Sequence, residues 1–152
     1  MTDVHDRETR SRNMAAIKGR DTKPEKLLRS ALHGAGFRFR LNAPLPGKPD
    51  LTLKKHRATV YVHGCFWHMH DCPRFKYPGG DNADFWRAKL ERNAERDGEV
   101  TGKLLAAGWR QLVVWECALV GKGRLDLSEV VNSIGIWLTS DAKTGEIAGE
   151  FG

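Results

Sequence analysis

Hydrophobic positions recur along this chain with two different periods, and the changes of period divide it into elements. In "DTKPEKLLRSALHGAGF", residues 21–37, Leu27, Leu28, Ala31 and Leu32 fall at helical spacing. Thr22 and Glu25 form a T-x-x-E capping signature, Pro24 suits a first turn, and Gly34 and Gly36 end the run. The period then drops to two. "FRFRL" (37–41) sets Phe37, Phe39 and Leu41 on one face, and "DLTLKK" (50–55) and "ATVYVHG" (58–64) read as two further strands. "KKHR" between them predicts a hairpin turn, without the usual Asn-Gly chemistry. The Cys, His, Pro and Gly-Gly content of 65–82 predicts an irregular excursion. A long helix follows over 83–108, with Gly98 a weak point and Gly108 its stop. "WRQLVVWEC" (109–117) reads as an apolar strand and "DLSEVVNSIGIWL" (126–138) as an amphipathic helix, with Trp109, Trp115 and Trp137 expected in the core. The order α-β-β-β-α-β-α predicts one mixed α/β domain over 21–140 with a single central sheet. A polar, basic arm over 1–20 precedes it, and the polar, glycine-containing stretch 141–152 is expected to be a disordered tail.

The composition, 40% apolar and 29% charged over 152 residues, is that of an ordinary globular protein with room for one core. No stretch approaches the roughly 20 apolar residues that cross a bilayer. "MTDVHDRETRSRNM" has no apolar segment of the kind a secretory signal carries, so a cytoplasmic protein with no membrane partner is expected. The net charge of +6 favours polyanionic partners, nucleic acid first, although many basic domains bind none. Three cysteines are too few, and odd in number, for a disulfide framework.

Two of those cysteines lie in "HGCFWHMHDC" (63–72), among three histidines. Cys65, His70 and Cys72 supply a compact C-x4-H-x-C trio, and Cys117 at the end of the last apolar strand can complete a Cys3His set. Such a set uses every thiol and, having no open position, would hold a structural Zn²⁺. The alternatives are solvated histidines with buried thiols, or a catalytic zinc. His63 and His68 are left outside the quartet. Histidine is the natural acid or base near neutral pH, but a lone histidine is more often a satisfied structural residue.

Phosphodiester hydrolysis usually needs a hard cation, and Asp50 at a strand start is the best-placed single carboxylate for Mg²⁺. On the residues alone it reads more readily as a turn residue after Pro49. Glu25 already has work in the capping signature, and Asp97 reads as a solvated helix residue. Phe66, Trp67, Phe85 and Trp86 lie beside Lys76, Arg87, Lys89 and Asn93; apolar wedges in such a setting can enter a base stack. Phe66 and Trp67 stand out, because a polar, metal-pinned loop offers little core to join. Trp86, Lys89 and Asn93 can face one direction on the long helix.

"TRSRNMAAIKGRDTKPEKLLRSAL", "LPGKPDL", "VHGCFWHMHDC", "FWRAKLERNAERD" and "GWRQLVVWECAL", in this order over residues 5–120, resemble the very-short-patch-repair (Vsr) DNA mismatch endonuclease family. The resemblance implies a restriction-endonuclease-like fold, a mixed central sheet flanked by helices, with a structural zinc site. It implies a Mg²⁺-dependent enzyme that nicks one strand 5′ of the thymine in a T:G mismatch left by deamination of 5-methylcytosine. By motif, Asp50 and the Val62 carbonyl would hold the Mg²⁺, His68 would be general base or water-orienting group, His63 and Asp97 would support it, and Glu25 would contact metal-bound water. Cys65, His70, Cys72 and Cys117 match the zinc ligands. Phe66, Trp67 and Trp86 match a wedge that enters the duplex, with Met14 approaching from the other groove, and Lys89 and Asn93 match residues that read the mismatched pair. Double-stranded DNA with a T:G mismatch is the implied partner of a monomeric bacterial protein acting at the nucleoid, with other mismatch-repair proteins as candidate partners. Two departures are visible. "YVHG" supplies neither the second acid nor the lysine usual in the restriction fold, so histidines must replace them, and Met69 and Asp71 stand where extra histidines can occur. A non-catalytic, zinc-stabilised DNA-binding module is the rival that keeps the wedge but does not need Asp50 or His68.

Overall fold

The computed structural model describes residues 22–151. Its elements are helix α1 (Lys23–Gly34), strand β1 (Leu51–Leu53), a 3₁₀ turn (Lys54–His56), strand β2 (Ala58–His63), helix α2 (Ala83–Ala106), strand β3 (Arg110–Trp115), short helix α3 (Glu116–Leu119), helix α4 (Leu127–Leu138) and strand β4 (Thr144–Ile147). The sheet order is β1-β2-β3-β4. The β1–β2 hairpin is antiparallel, while β2–β3 and β3–β4 are parallel. Parallel neighbours cannot be joined by a tight turn. Helices α2 and α4 are the two crossovers.

Alternation along the strands assigns the two faces of the sheet. Ala58 and Val60 of β2 and Leu112 and Val114 of β3 meet Leu28 and Leu32 of α1 and Val130, Ile134 and Leu138 of α4 in one buried core. Truncating a leucine here, such as Leu32→Ala, leaves a cavity that costs about 2–5 kcal/mol. The intervening positions Tyr61, His63, Gln111, Val113 and Trp115 line the opposite face, where they meet a cleft bordered by α2. The sheet therefore separates a stabilising side from a chemical side. Register fixes that division, with His63 paired to Trp115.

The capping signature forms as expected, with Thr22 as N-cap accepting from the Glu25 N–H at 3.4 Å. The "KKHR" hairpin also forms, by an unusual route: Arg57 adopts the left-handed conformation (φ 48°) that glycine or asparagine would occupy more easily. Its guanidinium is held by the Ala107 and Gly108 carbonyls and lies 4.8 Å from the Trp109 ring. Helix α2 runs through Gly98 without interruption.

Three expectations are corrected. "FRFRL" is not a strand; only an isolated bridge joins Arg40 to Thr52. Phe37 and Phe39 pack on the core, whereas Leu41 is exposed just before the chain turns at Asn42 (φ 57°). Cys117 lies not on a strand but in α3, directly after β3 ends at Trp115. Most consequentially, the expected disordered tail forms β4 on the edge of the sheet beside β3. Ile147 packs against the core, and Gly145 allows close approach, since a Cβ there would lie 2.5 Å from the Trp137 indole nitrogen. The proposed arm, including Met14, lies outside the described residues. No helix among the described residues is long and apolar enough to cross a membrane.

Candidate active site and metal centre

The cleft has a volume of ≈ 1770 Å³ and is lined by Glu25, Asp50, Val62, His63, His68 and Asp97. Asp50 precedes β1, and its Oδ2 accepts the Val62 N–H at 2.6 Å, tying it to the end of β2. Burial pushes its carboxyl up to about 7, against the pull of the Val62 hydrogen bond; Glu25 pushes it further up and Arg29 draws it down. Two buried acids side by side resist full ionisation. A cation between them would reverse that balance, and oxygen donors on an open cleft suit a hard divalent ion.

In the same cleft as Asp50, His63 and His68 stack face to face, with ring centroids 3.7 Å apart and planes 4° from parallel. His68 Nδ1 lies 2.6 Å from Asp97 Oδ2. Asp97 therefore fixes the tautomer and orientation of His68, an arrangement that leaves Nε2 as the nitrogen open to other partners. Burial first, and the neighbouring His68 second, depress the His63 pKa to about 3, partly offset by Asp97, so His63 is neutral near pH 7. His63, His68 and Asp97 are close enough to be considered as one metal group. Stacked rings, however, send their in-plane lone pairs parallel, not convergent, and Asp97 is already engaged by His68. The trio is better suited to moving and orienting protons.

A second cluster lies just beyond. The ligand atoms of Cys65, His70, Cys72 and Cys117 all lie within 4.8 Å of one another. His70 Nδ1 is 3.5 Å from Cys65 Sγ and 3.6 Å from Cys117 Sγ. Zn–S and Zn–N bonds of roughly 2.3 and 2.0 Å in a tetrahedron place S and N about 3.5 Å apart. The quartet fits. Burial pushes the Cys65 and Cys117 thiols up and the His70 imidazole down, so without a cation the site resists charge. A dication supplies the missing counter-charge.

The loop between these clusters carries the aromatics. Phe66, Trp67 and Trp86 form a mutually touching triangle, with centroids 5.1–5.9 Å apart. Lys89 Nζ lies 5.9 Å from the centroids of both tryptophans, and Asn93 Nδ2 donates to the Trp67 carbonyl at 3.3 Å. Phe85, next to Trp86 in sequence and with its ring centroid 5.7 Å from that of Trp86, is largely exposed. Every described residue among the predicted site positions thus borders the cleft or the adjoining cysteine cluster.

Trp115 and Glu116 escaped the sequence reading. Trp115, expected in the core, faces the cleft side: it stacks flat on His70 (4.0 Å, 9°) and edge-on to His63 (5.4 Å). Glu116 accepts the Cys65 N–H at 3.1 Å and pairs with Arg74 at 3.4 Å, staking the loop at both ends. Their adjacency to Cys117 in "WEC" was the available signal.

A largely buried acid and a carboxylate-anchored histidine lining one open cleft are the equipment of a hydrolytic enzyme. The comparisons with known proteins define which kind. Residues 2–74 match the family model described as DNA mismatch endonuclease Vsr. The chain is 43% identical over 148 residues to the DNA mismatch endonuclease Vsr of Escherichia coli (strain K12), covering 97% of this chain and 94% of that one. It is 42% identical to the type II nicking enzyme V.XorIIP of Xanthomonas oryzae pv. oryzae, over 83% of this chain and 93% of the relative. It is 41% identical to the type II nicking enzyme V.NmeAIP of Neisseria meningitidis, over 88% of this chain and 97% of the relative. The chain belongs to the Vsr family of DNA mismatch endonucleases, enzymes that hydrolyse phosphodiester bonds.

Proposed function

We propose that this enzyme nicks DNA 5′ of the thymine in a T:G mismatch, with Mg²⁺ in the active site and a structural Zn²⁺ beside it, on a restriction-endonuclease-like scaffold. The observation that carries the reading is the His68–Asp97 pair, 2.6 Å apart and stacked on His63, in the same cleft as Asp50. Asp50 and the Val62 carbonyl would hold the Mg²⁺, with Glu25 anchoring its water shell. When bound, the ion polarises the scissile phosphate and makes water more acidic. His68, oriented by Asp97, takes the proton from the attacking water, and neutral His63 holds the stack and orients the phosphate. In-line attack then leaves a 5′-phosphate and a 3′-hydroxyl.

Cys65, His70, Cys72 and Cys117 would hold the Zn²⁺ and stiffen the loop that carries Phe66 and Trp67. Rigidity matters because a wedge that yields cannot unstack bases. Phe66, Trp67 and Trp86 would enter the duplex, with Met14 on the opposite side, while Lys89 and Asn93 at the wedge base read the wobble pair. The test is a nicking assay on T:G and matched duplexes with varied flanking pairs, run with the wild type and Asp50→Ala. Nicking confined to T:G duplexes and lost in the variant is expected. Unchanged nicking by Asp50→Ala in Mg²⁺ would overturn the active-site assignment, and equal nicking of matched DNA would overturn the mismatch reading.

A further inference from the structure

The segment after α4 makes contacts with the cysteine–histidine quartet that nothing in the catalytic reading requires. In β4, Glu146 Oε1 accepts the Trp115 indole N–H at 2.9 Å, and the face of that indole lies 4.0 Å from the His70 ring and 9° from parallel to it. Beyond β4, the Gly149 N–H donates to Cys117 Sγ at 3.2 Å. The chain is held there by the Glu150 N–H on the Gly123 carbonyl at 2.9 Å, and the Phe151 ring lies against Gly123. Position 149 has no room for a side chain, since a Cβ would lie 2.3 Å from the Cys117 carbonyl oxygen and 2.6 Å from that of Gly123. The backbone comes this close over 32 residues of separation, and it places an amide on a sulfur.

We propose that residues 146–149 are the outer wall of the metal site, with Gly149 and Glu146 as its positioning residues. Resting on the reading that the quartet holds a structural Zn²⁺, the inference adds a fifth and a sixth participant from a part of the chain with no cysteine or histidine. An N–H···S bond shares the negative charge of a thiolate, which lowers its basicity and its tendency to take up a proton and let go of the metal. Glu146 acts one step further out. By fixing the indole, it fixes the plane on which the His70 ring rests, and hence the direction of Nδ1. Partners of this kind typically change metal affinity 10–100-fold when removed.

The experiment measures metal loss, not activity. Wild type, a chain ending at Ile147, Glu146→Ala and Glu146→Gln are loaded, their metal content is determined, and release of the ion to a chromophoric chelator is followed. The shortened chain keeps β4 but lacks the Gly149 amide, and it should release the ion about 10–100-fold faster than wild type. Glu146→Ala should do the same in smaller measure, while Glu146→Gln, which retains an acceptor for the indole N–H, should restore the wild-type rate. Loading with Co²⁺ adds a spectroscopic reading, since the thiolate-to-metal charge-transfer band should shift in the shortened chain. Release and spectra indistinguishable from wild type in both the shortened chain and Glu146→Ala would overturn the inference while leaving the metal site standing. A wild-type chain that holds no stoichiometric ion would overturn the metal reading and this inference together.

Discussion

Asp50 and His63 are both shifted towards neutrality by burial, and their shifts act in opposite directions on stability. The folded-state pKa of Asp50 rises from 3.8 to about 7, so the metal-free fold binds an extra proton there and loses stability as pH rises through that window. That of His63 falls from 6.5 to about 3, so the fold loses stability as pH drops from 6.5 towards 3. Where the windows overlap the two effects largely offset each other. Cation binding exposes the difference. Mg²⁺ must displace the Asp50 proton, so its apparent affinity should rise up to about tenfold per pH unit below 7 and level off above. Calorimetric titration in buffers of different ionisation enthalpy should detect the released proton in wild type and not in Asp50→Asn. At His68 the expected effect is kinetic. His68→Ala should lower single-turnover nicking about 10²–10⁴-fold, with DNA affinity little changed, and Asp97→Asn should act in the same direction but less. Asp97 shows why such a role is hard to read in one dimension. Nothing in "ERDGEV" distinguishes it from a solvated helix residue until α2 crosses back over the sheet and sets it beside His68, 29 positions earlier.

Elements whose signals are local were legible in the sequence. Helix α1 announced itself through Thr22, Pro24 and its leucine spacing, and the quartet through a trio confined to eight residues plus the last remaining thiol. Strand β4 was not, because "TGEI" pairs a glycine and a glutamate with only two β-formers and depends on the free edge of β3 for its partner. What brings the chain to that edge is Arg110. Its guanidinium donates to the carbonyls of Trp137, Leu138, Ser140 and Ala142 and lies 4.1 Å from the Trp137 ring, closing the end of α4 and aiming the following segment. Charged donors to carbonyls and a stacked guanidinium each contribute modestly where solvent reaches them. Together they make Arg110→Ala a loss of about 2 kcal/mol, or roughly 4–8 °C in thermal midpoint for a chain this size. Thermal denaturation followed by circular dichroism checks it. A shift below 1 °C would mean that the end of α4 is held by something other than this side chain.

The whole molecule is stabilised in two separate ways, one on each side of the sheet. The α1–sheet–α4 side rests on buried leucines and valines, while the loop from Gly64 to Cys72 has Cys65 as its one fully buried residue and, on the proposed reading, would be held by a metal in the quartet. Chelation should therefore leave far-ultraviolet circular dichroism nearly intact while tryptophan fluorescence from the Phe66–Trp67–Trp86 triangle changes. A cooperative collapse of both signals would show that the two sides are one unit. DNA binding should show a strong salt dependence, as expected for a chain of net charge +6, whichever base pair is offered. Between the two sides of the chemistry stands Trp115, flat against His70 and edge-on to His63. An aromatic ring shifts the magnetic environment of nearby protons according to where they lie relative to its plane, so this single indole writes its orientation onto two imidazoles at once. The resonances of His63 should therefore serve as a built-in gauge of whether a metal fills the neighbouring cysteine–histidine quartet.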